Sequence, residues 1–327
     1  MTFKDFFSPL SNKKIKQLLL ISAILIIIAV VIRDNKMVNE QIPTEIIVKE
    51  EKSLIEEKSQ NEGKIKATEV KNVETVKDTM VKPEISAEEY LVGDIETGEI
   101  YLQKNIDKVF PIASISKLIT AVVAVNILDK DKEISITSKM LEPYGDSGKL
   151  SPGEIYAVDD LLYPLLMESS NDTAEAIAIS YGYDEFIKQM NSLAYEIGME
   201  KTSFEDPSGL SYINSSNVKD LFVLAKYIYN YEKSLLNITK KTNISIASTT
   251  GHIAHDYNNI NPLSSSTDFI GGKTGRTNEA KESMLSIFNP KIGDKVYTIA
   301  IIVLRSEFNE RENDTMALLQ QFIDSIK

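Results

Sequence analysis

The chain has 327 residues and a formal net charge of −12, with no cysteine and two histidines, His252 and His255. The length allows one large domain or two small ones with added segments. The acidic balance argues against a nucleic-acid partner, which needs a basic face. The lack of thiols excludes disulfides and thiolate metal sites, and two histidines leave few bases for a Ser-His-Asp triad. No cofactor or metal is expected.

An apolar run from Leu18 to Ile32 is broken only by Ser22, and Lys13, Lys14 and Lys16 stand before it. With its flanks the run approaches the roughly 20 residues that span a bilayer. The positive-inside rule places the N-terminus in the cytoplasm and the rest of the chain outside. A cleaved signal peptide is the alternative, but Ala29-Val30-Val31-Ile32-Arg33-Asp34 offers no small-x-small cleavage pattern. Residues 1–33 are therefore expected to be a cytoplasmic tip and a retained single-pass anchor in the cell membrane. Residues 34–86 are rich in Glu, Lys, Asn and Thr and carry no aromatic residue. Such a stretch buries too little apolar area to offset its ordering entropy. It is expected to be a disordered charged linker, with transient helix around residues 50–66.

The globular part is expected over residues 87–327. Tyr90 to Ile95 and Ile100 to Gln103 read as a hairpin around Glu96-Thr97-Gly98-Glu99. Helical spacing predicts helices from about Ser114 to Leu128, Val158 to Met167, Asn171 to Tyr181, Asp184 to Ile197 and Val218 to Tyr229. Strands are predicted at Phe269 to Gly272, Met284 to Phe288 and Tyr297 to Leu304, and a final amphipathic helix at Asp314 to Ile326. Early strands, a helical middle and late strands joined by short turns predict an α+β fold with antiparallel sheet.

Three short motifs occur in order. In Ser114-Ile115-Ser116-Lys117, helical spacing puts Lys117 on the same face as Ser114. A serine hydroxyl needs a base to become a nucleophile, and an amine can serve if burial or a nearby cation lowers its pKa. The bland alternative is a plain helix cap with a solvated lysine. In Ser169-Ser170-Asn171, at a break between two predicted helices, Ser169 could relay a proton and Asn171 could orient Lys117 or a substrate amide. Simple capping of the next helix competes with that role. Lys273-Thr274-Gly275, read as the end of an apolar strand, combines a positive charge, a hydroxyl for a substrate carboxylate and a glycine that lets a substrate backbone approach. A phosphate loop does not fit, because no Gly-x-x-x-x-Gly-Lys-Ser/Thr spacing surrounds Lys273. Each motif alone is weak. Together, in this order and context, they form the set shared by class A β-lactamases and penicillin-binding proteins.

Residues 87–327 resemble the low-molecular-mass penicillin-binding proteins of the D-alanyl-D-alanine carboxypeptidase family. The resemblance extends to Ile95-Glu96-Thr97-Gly98-Glu99, Ser151-Pro152-Gly153-Glu154, Asp160-Leu161-Leu162, Met190-Asn191, Gly198-Met199, Thr202 to Leu210 and Asn259 to Leu263. It implies a β-lactamase/transpeptidase-like fold, an antiparallel sheet flanked by helices with a helical subdomain. It further implies that Ser114 attacks the penultimate D-Ala carbonyl of a peptidoglycan stem peptide, that Lys117 takes its proton, and that Ser169 and Asn171 complete the proton network. Lys273 would keep Lys117 neutral, and Thr274, with Gly275, Arg276 and Arg311, would serve the substrate and its carboxylate. The backbone N–H groups of Ser114 and Arg276 would form the oxyanion hole. β-Lactam antibiotics are implied as covalent inhibitors.

Some features depart from the family. Only about 50 residues follow Lys273, so its common C-terminal β-domain is expected to be missing, as is a C-terminal membrane helix. Ser170 stands where a small residue is common, and Arg276 occupies a variable position. A D,D-endopeptidase that cuts cross-links remains an alternative, as does an inert wall-binding module. A β-lactamase would need an acid to activate the deacylating water. Glu205 follows Asn171 at a plausible distance, but its surroundings, Glu205-Asp206-Pro207-Ser208-Gly209-Leu210, resemble the peptidases.

Overall fold

A computed structural model of the chain describes residues 84–145 and 148–327. The expected anchor, and the expected linker apart from its last three residues, lie outside them. Among the described residues no helix is long and apolar enough to cross a membrane.

Five strands make the central sheet: β1 (Glu89–Asp94), β2 (Ile100–Lys104), β3 (Phe269–Thr277), β4 (Lys281–Phe288) and β5 (Ile299–Ser306). Their order is β2-β1-β5-β4-β3, and every neighbouring pair is antiparallel. The first strand of the fold thus pairs with the last, with Val92 opposite Ile301. Side chains of a strand alternate between faces. On β5, Ile299, Ile301 and Val303 enter one core, and Ala300, Ile302 and Leu304 enter the other. Both faces are covered, which is why this segment reads as an unbroken apolar run.

Among the described residues, seven α-helices accompany the sheet: α1 (Ser116–Ile127), α2 (Val158–Met167), α3 (Asn171–Tyr181), α4 (Tyr183–Glu196), α5 (Val218–Tyr231), α6 (Lys233–Thr239) and α7 (Arg311–Ile326). Leu318, Leu319 and Phe322 of α7 pack with Val92, Met284 and Phe288 on one face. Burying a side chain such as Phe322 contributes about 1.5–3 kcal/mol. The other six helices share the larger core with Leu91, Leu285 and Ile302. Ser116 to Ala124 of α1 are all buried, so this helix is enclosed by its neighbours. At the start of the domain, the Asp314 carboxylate accepts hydrogen bonds from the Ser86 hydroxyl at 2.7 Å and the Ala87 N–H at 3.0 Å.

The sheet flanked by helices is the α+β arrangement expected. Two local differences stand out. The strand from Phe269 continues to Thr277 instead of stopping at Gly272. Glycines usually weaken strands, but here they permit close contact: a Cβ on Gly272 would lie 2.2 Å from the Leu285 carbonyl oxygen. Helix α6 and the short pairs Glu133–Ser135 with Ile155–Ala157 and Asn243–Ile246 with His255–Asn258 were also not anticipated. Elements this short are held by packing more than by propensity.

Candidate active site

A single 3-10 turn, Ala113–Ile115, leads directly into α1. It is pinned on both sides. Phe110 and Pro111 pair with Ser216 and Ser215, and the Ile112 N–H donates to the Asn214 carbonyl at 3.0 Å. Ala113 holds φ +48°, a left-handed conformation that L-residues adopt at a cost and that tends to occur at functional sites. Two glycines press against the turn. A Cβ on Gly209 (φ +86°) would stand 2.0 Å from the Ala113 carbonyl oxygen, and one on Gly275 would stand 2.6 Å from that of Ile112 and 3.2 Å from the Ser114 nitrogen. Ser114 itself is half-buried, which leaves its hydroxyl reachable.

One turn further along the helix, Lys117 is fully buried. Its Nζ lies 2.9 Å from Ser114 Oγ, 2.7 Å from Asn171 Oδ1 and 2.6 Å from the Ser208 carbonyl oxygen. The last two can only accept. A neutral amine has two N–H bonds and one lone pair. In its neutral form, an amine that gives both N–H bonds to Asn171 and Ser208 would turn its lone pair toward the Ser114 hydroxyl, where a general base is needed. Asn171 is fixed in the matching orientation, because its Nδ2 donates to the Tyr144 carbonyl at 2.7 Å.

The second lysine of the site is Lys273. Buried within β3, it donates from Nζ to Ser169 Oγ at 2.8 Å and to the Thr274 carbonyl at 2.8 Å. Ser169 sits between α2 and α3 with φ +62°, again left-handed. Ser170 faces away from this chemistry. Its hydroxyl caps α3 by accepting from the Thr173 N–H at 3.0 Å and the Thr173 hydroxyl at 2.8 Å. Capping is therefore the role of Ser170, while Ser169 and Asn171 enter the site. Next to them, burial pushes the Asp172 carboxyl up to about 6.

On β3, Thr274 is buried and the Arg276 side chain is exposed. Arg311, at the start of α7, donates from Nη1 to the Gly275 carbonyl at 3.2 Å. Glu282 of β4, almost wholly buried, lies 3.7 Å from Arg311 Nη1 and 3.5 Å from Arg276 Nη1. It also accepts from the Asn309 N–H at 2.9 Å. Burial pulls the Arg311 guanidinium below its ordinary value, and the Glu282 charge opposes that pull. Both arginines thus gather beside the strand edge that carries Thr274 and Gly275.

The motifs do converge: Ser114, Lys117 and Asn171 form one hydrogen-bonded group, and Ser169 with Lys273 forms a second beside it. The sequence did not point to the Ser208 carbonyl, 91 residues from Lys117, or to Glu282. Asp206-Pro207-Ser208-Gly209 carries a turn signature, but nothing local ties it to the lysine. Glu205, the acid considered for a β-lactamase, accepts from the Ser211 hydroxyl at 2.5 Å. Among the described residues no group of His, Asp and Glu is arranged to hold a metal ion.

A buried lysine aimed at a reachable serine, beside a second buried lysine at a glycine-lined strand, is the constellation of the active-site serine enzymes with the penicillin-binding fold. Residues 74–302 match the family described as D-alanyl-D-alanine carboxypeptidase, peptidase family S11, and the chain belongs to that family. The D-alanyl-D-alanine endopeptidase of Escherichia coli is 36% identical over 148 residues, 44% of this chain and 47% of that protein. The carboxypeptidase DacF of Bacillus subtilis is 32% identical over 155 residues, 45% of this chain and 39% of that one. The chain thus matches about half the length of these relatives or less. Among solved structures, the Streptomyces K15 DD-transpeptidase superposes with a TM-score of 0.67 at 26% identity, covering 73% of this chain and 97% of that one. A D-alanyl-D-alanine carboxypeptidase from Mycobacterium tuberculosis gives 0.67 at 25% identity, covering 75% and 93%.

Proposed function

We propose that the protein is a serine-type D-alanyl-D-alanine carboxypeptidase that removes the terminal D-alanine of peptidoglycan stem peptides. The observation that carries this is the buried Lys117 amine, held by Asn171 Oδ1 and the Ser208 carbonyl with its Nζ 2.9 Å from Ser114 Oγ. Ser114 Oγ attacks the penultimate D-Ala carbonyl carbon while Lys117 Nζ takes the hydroxyl proton. The developing oxyanion is held by the backbone N–H groups of Ser114 and Arg276; preorganised donors of this kind are worth about 3 kcal/mol each. The C–N bond then breaks, and the proton passes through the Lys117, Ser169 and Asn171 network to the leaving amine. Thr274 and Arg311 hold the departing carboxylate. Water hydrolyses the acyl-enzyme ester and regenerates Ser114. A β-lactam would acylate the same oxygen and remain attached.

Covalent labelling of the full chain by a fluorescent penicillin, with D-Ala release from a stem pentapeptide, tests this function. A chain that neither labels nor releases D-Ala is not this enzyme. A D,D-endopeptidase is the second reading, supported by the 36% identity to relatives named D-alanyl-D-alanine endopeptidase. Faster turnover of a cross-linked dimer than of the pentapeptide would favour it.

The proposed place of action is outside the cytoplasmic membrane, with residues 1–33 as a retained anchor. The lysines before the apolar run support it. N-terminal sequencing of the mature protein tests retention: a new N-terminus near residues 30–40 would replace the anchor with a cleaved signal.

A further inference from the structure

We propose that Asp206 is a positioning residue for the base: it holds the Ser208 carbonyl on the Lys117 amine and so sets where the lone pair of that amine points. The proposal rests on the acyl-enzyme reading above, and its test separates the two.

The loop after Pro207 is built around one carboxylate. Asp206 Oδ1 accepts from the Ser208 N–H at 2.6 Å, the Ser208 hydroxyl at 2.8 Å and the Gly209 N–H at 2.6 Å. Its Oδ2 accepts from the Ser211 N–H at 2.6 Å. Bonds to an ionised acceptor are short and strong, so these four fix the backbone of Ser208 and Gly209. The loop is also nailed to α1. The Thr120 hydroxyl, one turn beyond Lys117, donates to the Pro207 carbonyl at 2.6 Å. Asn214 accepts from the Glu205 and Asp206 N–H groups at 2.8 and 3.2 Å and donates to the Asp206 carbonyl at 2.8 Å and to Ser116 Oγ at 3.2 Å. Gly209 lies against the Ala113 carbonyl oxygen so closely that no Cβ fits. Toward the Lys117 amine this scaffold presents the Ser208 carbonyl, 2.6 Å from Nζ.

Two consequences follow. The carbonyl removes one of the three directions available to the amine, as Asn171 removes another. It also accepts a stronger bond from an ammonium than from a neutral amine, and so favours the protonated state. Releasing it therefore lowers the pH at which Lys117 becomes a base, while spoiling the aim of the lone pair. The charged groups carried next to the partners of Lys117 are Lys273 on β3, Asp172 and Glu175 at the start of α3, and Glu205 beside Asp206. All four stay in place in the variants below.

The test is the pH dependence of acylation of the full chain by a fluorescent penicillin, from pH 5 to 10. Asp206→Ala should lower the plateau rate about tenfold and move the acidic limb down by about one pH unit. Asp206→Asn keeps the Oδ1 acceptor and should recover most of both effects. Thr120→Val frees the Pro207 carbonyl without touching the carboxylate. It should move the limb in the same direction, by about half as much, and it serves if Asp206→Ala does not fold. A limb at the wild-type pH in Thr120→Val and in folded Asp206→Ala overturns the proposal. So does an Asp206→Asn variant as impaired as Asp206→Ala, because charge and not positioning would then be at work. Wild type that fails to label, or Ser114→Ala that labels, would instead defeat the acyl-enzyme reading.

Discussion

Asn171→Asp is nearly isosteric and turns the Lys117 contact from an amide oxygen into a carboxylate. At the observed 2.7 Å, two unit charges attract by about 6 kcal/mol at an effective dielectric of about 20. Desolvating the new carboxylate in a buried site takes back much of this, and the lost bond to the Tyr144 carbonyl takes back more. If one third survives, about 2 kcal/mol remains, which raises the pH for deprotonating Lys117 by about 1.5 units. The acidic limb of penicillin acylation should move up by that amount, with the rate recovering at high pH. Asn171→Leu removes the acceptor without adding charge, so its limb should move down while the rate falls at every pH. Stopped-flow labelling with a fluorescent penicillin from pH 5 to 10 measures both. An Asn171→Asp limb that stays at the wild-type pH would show that the Lys117 amine is not the base, whatever its distance from Ser114.

The other expectations concern the nucleophile, the second cation and a buried acid far from both. Ser114→Ala should abolish acylation and Lys117→Ala nearly so, and the double variant should be no worse than Ser114→Ala alone, since nucleophile and base act as one unit; a stable adduct on Ser114→Ala would place the ester elsewhere. Lys273→Ala should move the acidic limb to higher pH, because a like charge that disfavours the Lys117 ammonium is gone; a limb moving to lower pH in the same labelling assay would contradict that role. Glu89 is fully buried, with Oε1 accepting from the Val218 N–H at 3.1 Å and Oε2 unpartnered among the described residues, and burial pushes its carboxyl up to about 8. From an ordinary value of 4.5 up to about 8, only the unfolded state ionises, so stability falls as pH rises through that window. Glu89→Gln keeps an acceptor for Val218 and should exceed the wild type at pH 9 by about 5 kcal/mol, with the two meeting near pH 4.5; equal melting temperatures at pH 9 would refute it.

What the sequence discloses divides by range of interaction. Ser114, in the 3-10 turn, and Lys117, at the start of α1, lie three residues apart, so local helical geometry brings them together. The boundaries of α2 and α3 follow from periodicity, and the break between them marks where Ser169 and Asn171 leave the helical pattern. The β3 strand was legible only to Gly272, because its glycines look like an ending when the partner strand is unknown. Their use appears once Leu285 and Ile112 are seen against them. Ser170 and Asn171 could not be told apart by type, since both are good caps. Only the fold shows that one serves α3 and the other Lys117.

The same division explains which part of the site escaped notice. A backbone carbonyl has no residue identity, so no motif can announce that the Ser208 oxygen is a ligand of the lysine. What the sequence does contain is the device that aims it: an aspartate two residues before the serine, with a glycine after it to admit the Ala113 carbonyl. An acyl-transfer site of this kind has to specify three directions around one nitrogen. Here one is set by helical spacing, one by a side chain 54 residues away, and one by a loop 91 residues away. The first two are written in residue types that chemistry recognises. The third is written in turn residues, which become functional only through the α1 helix they grip.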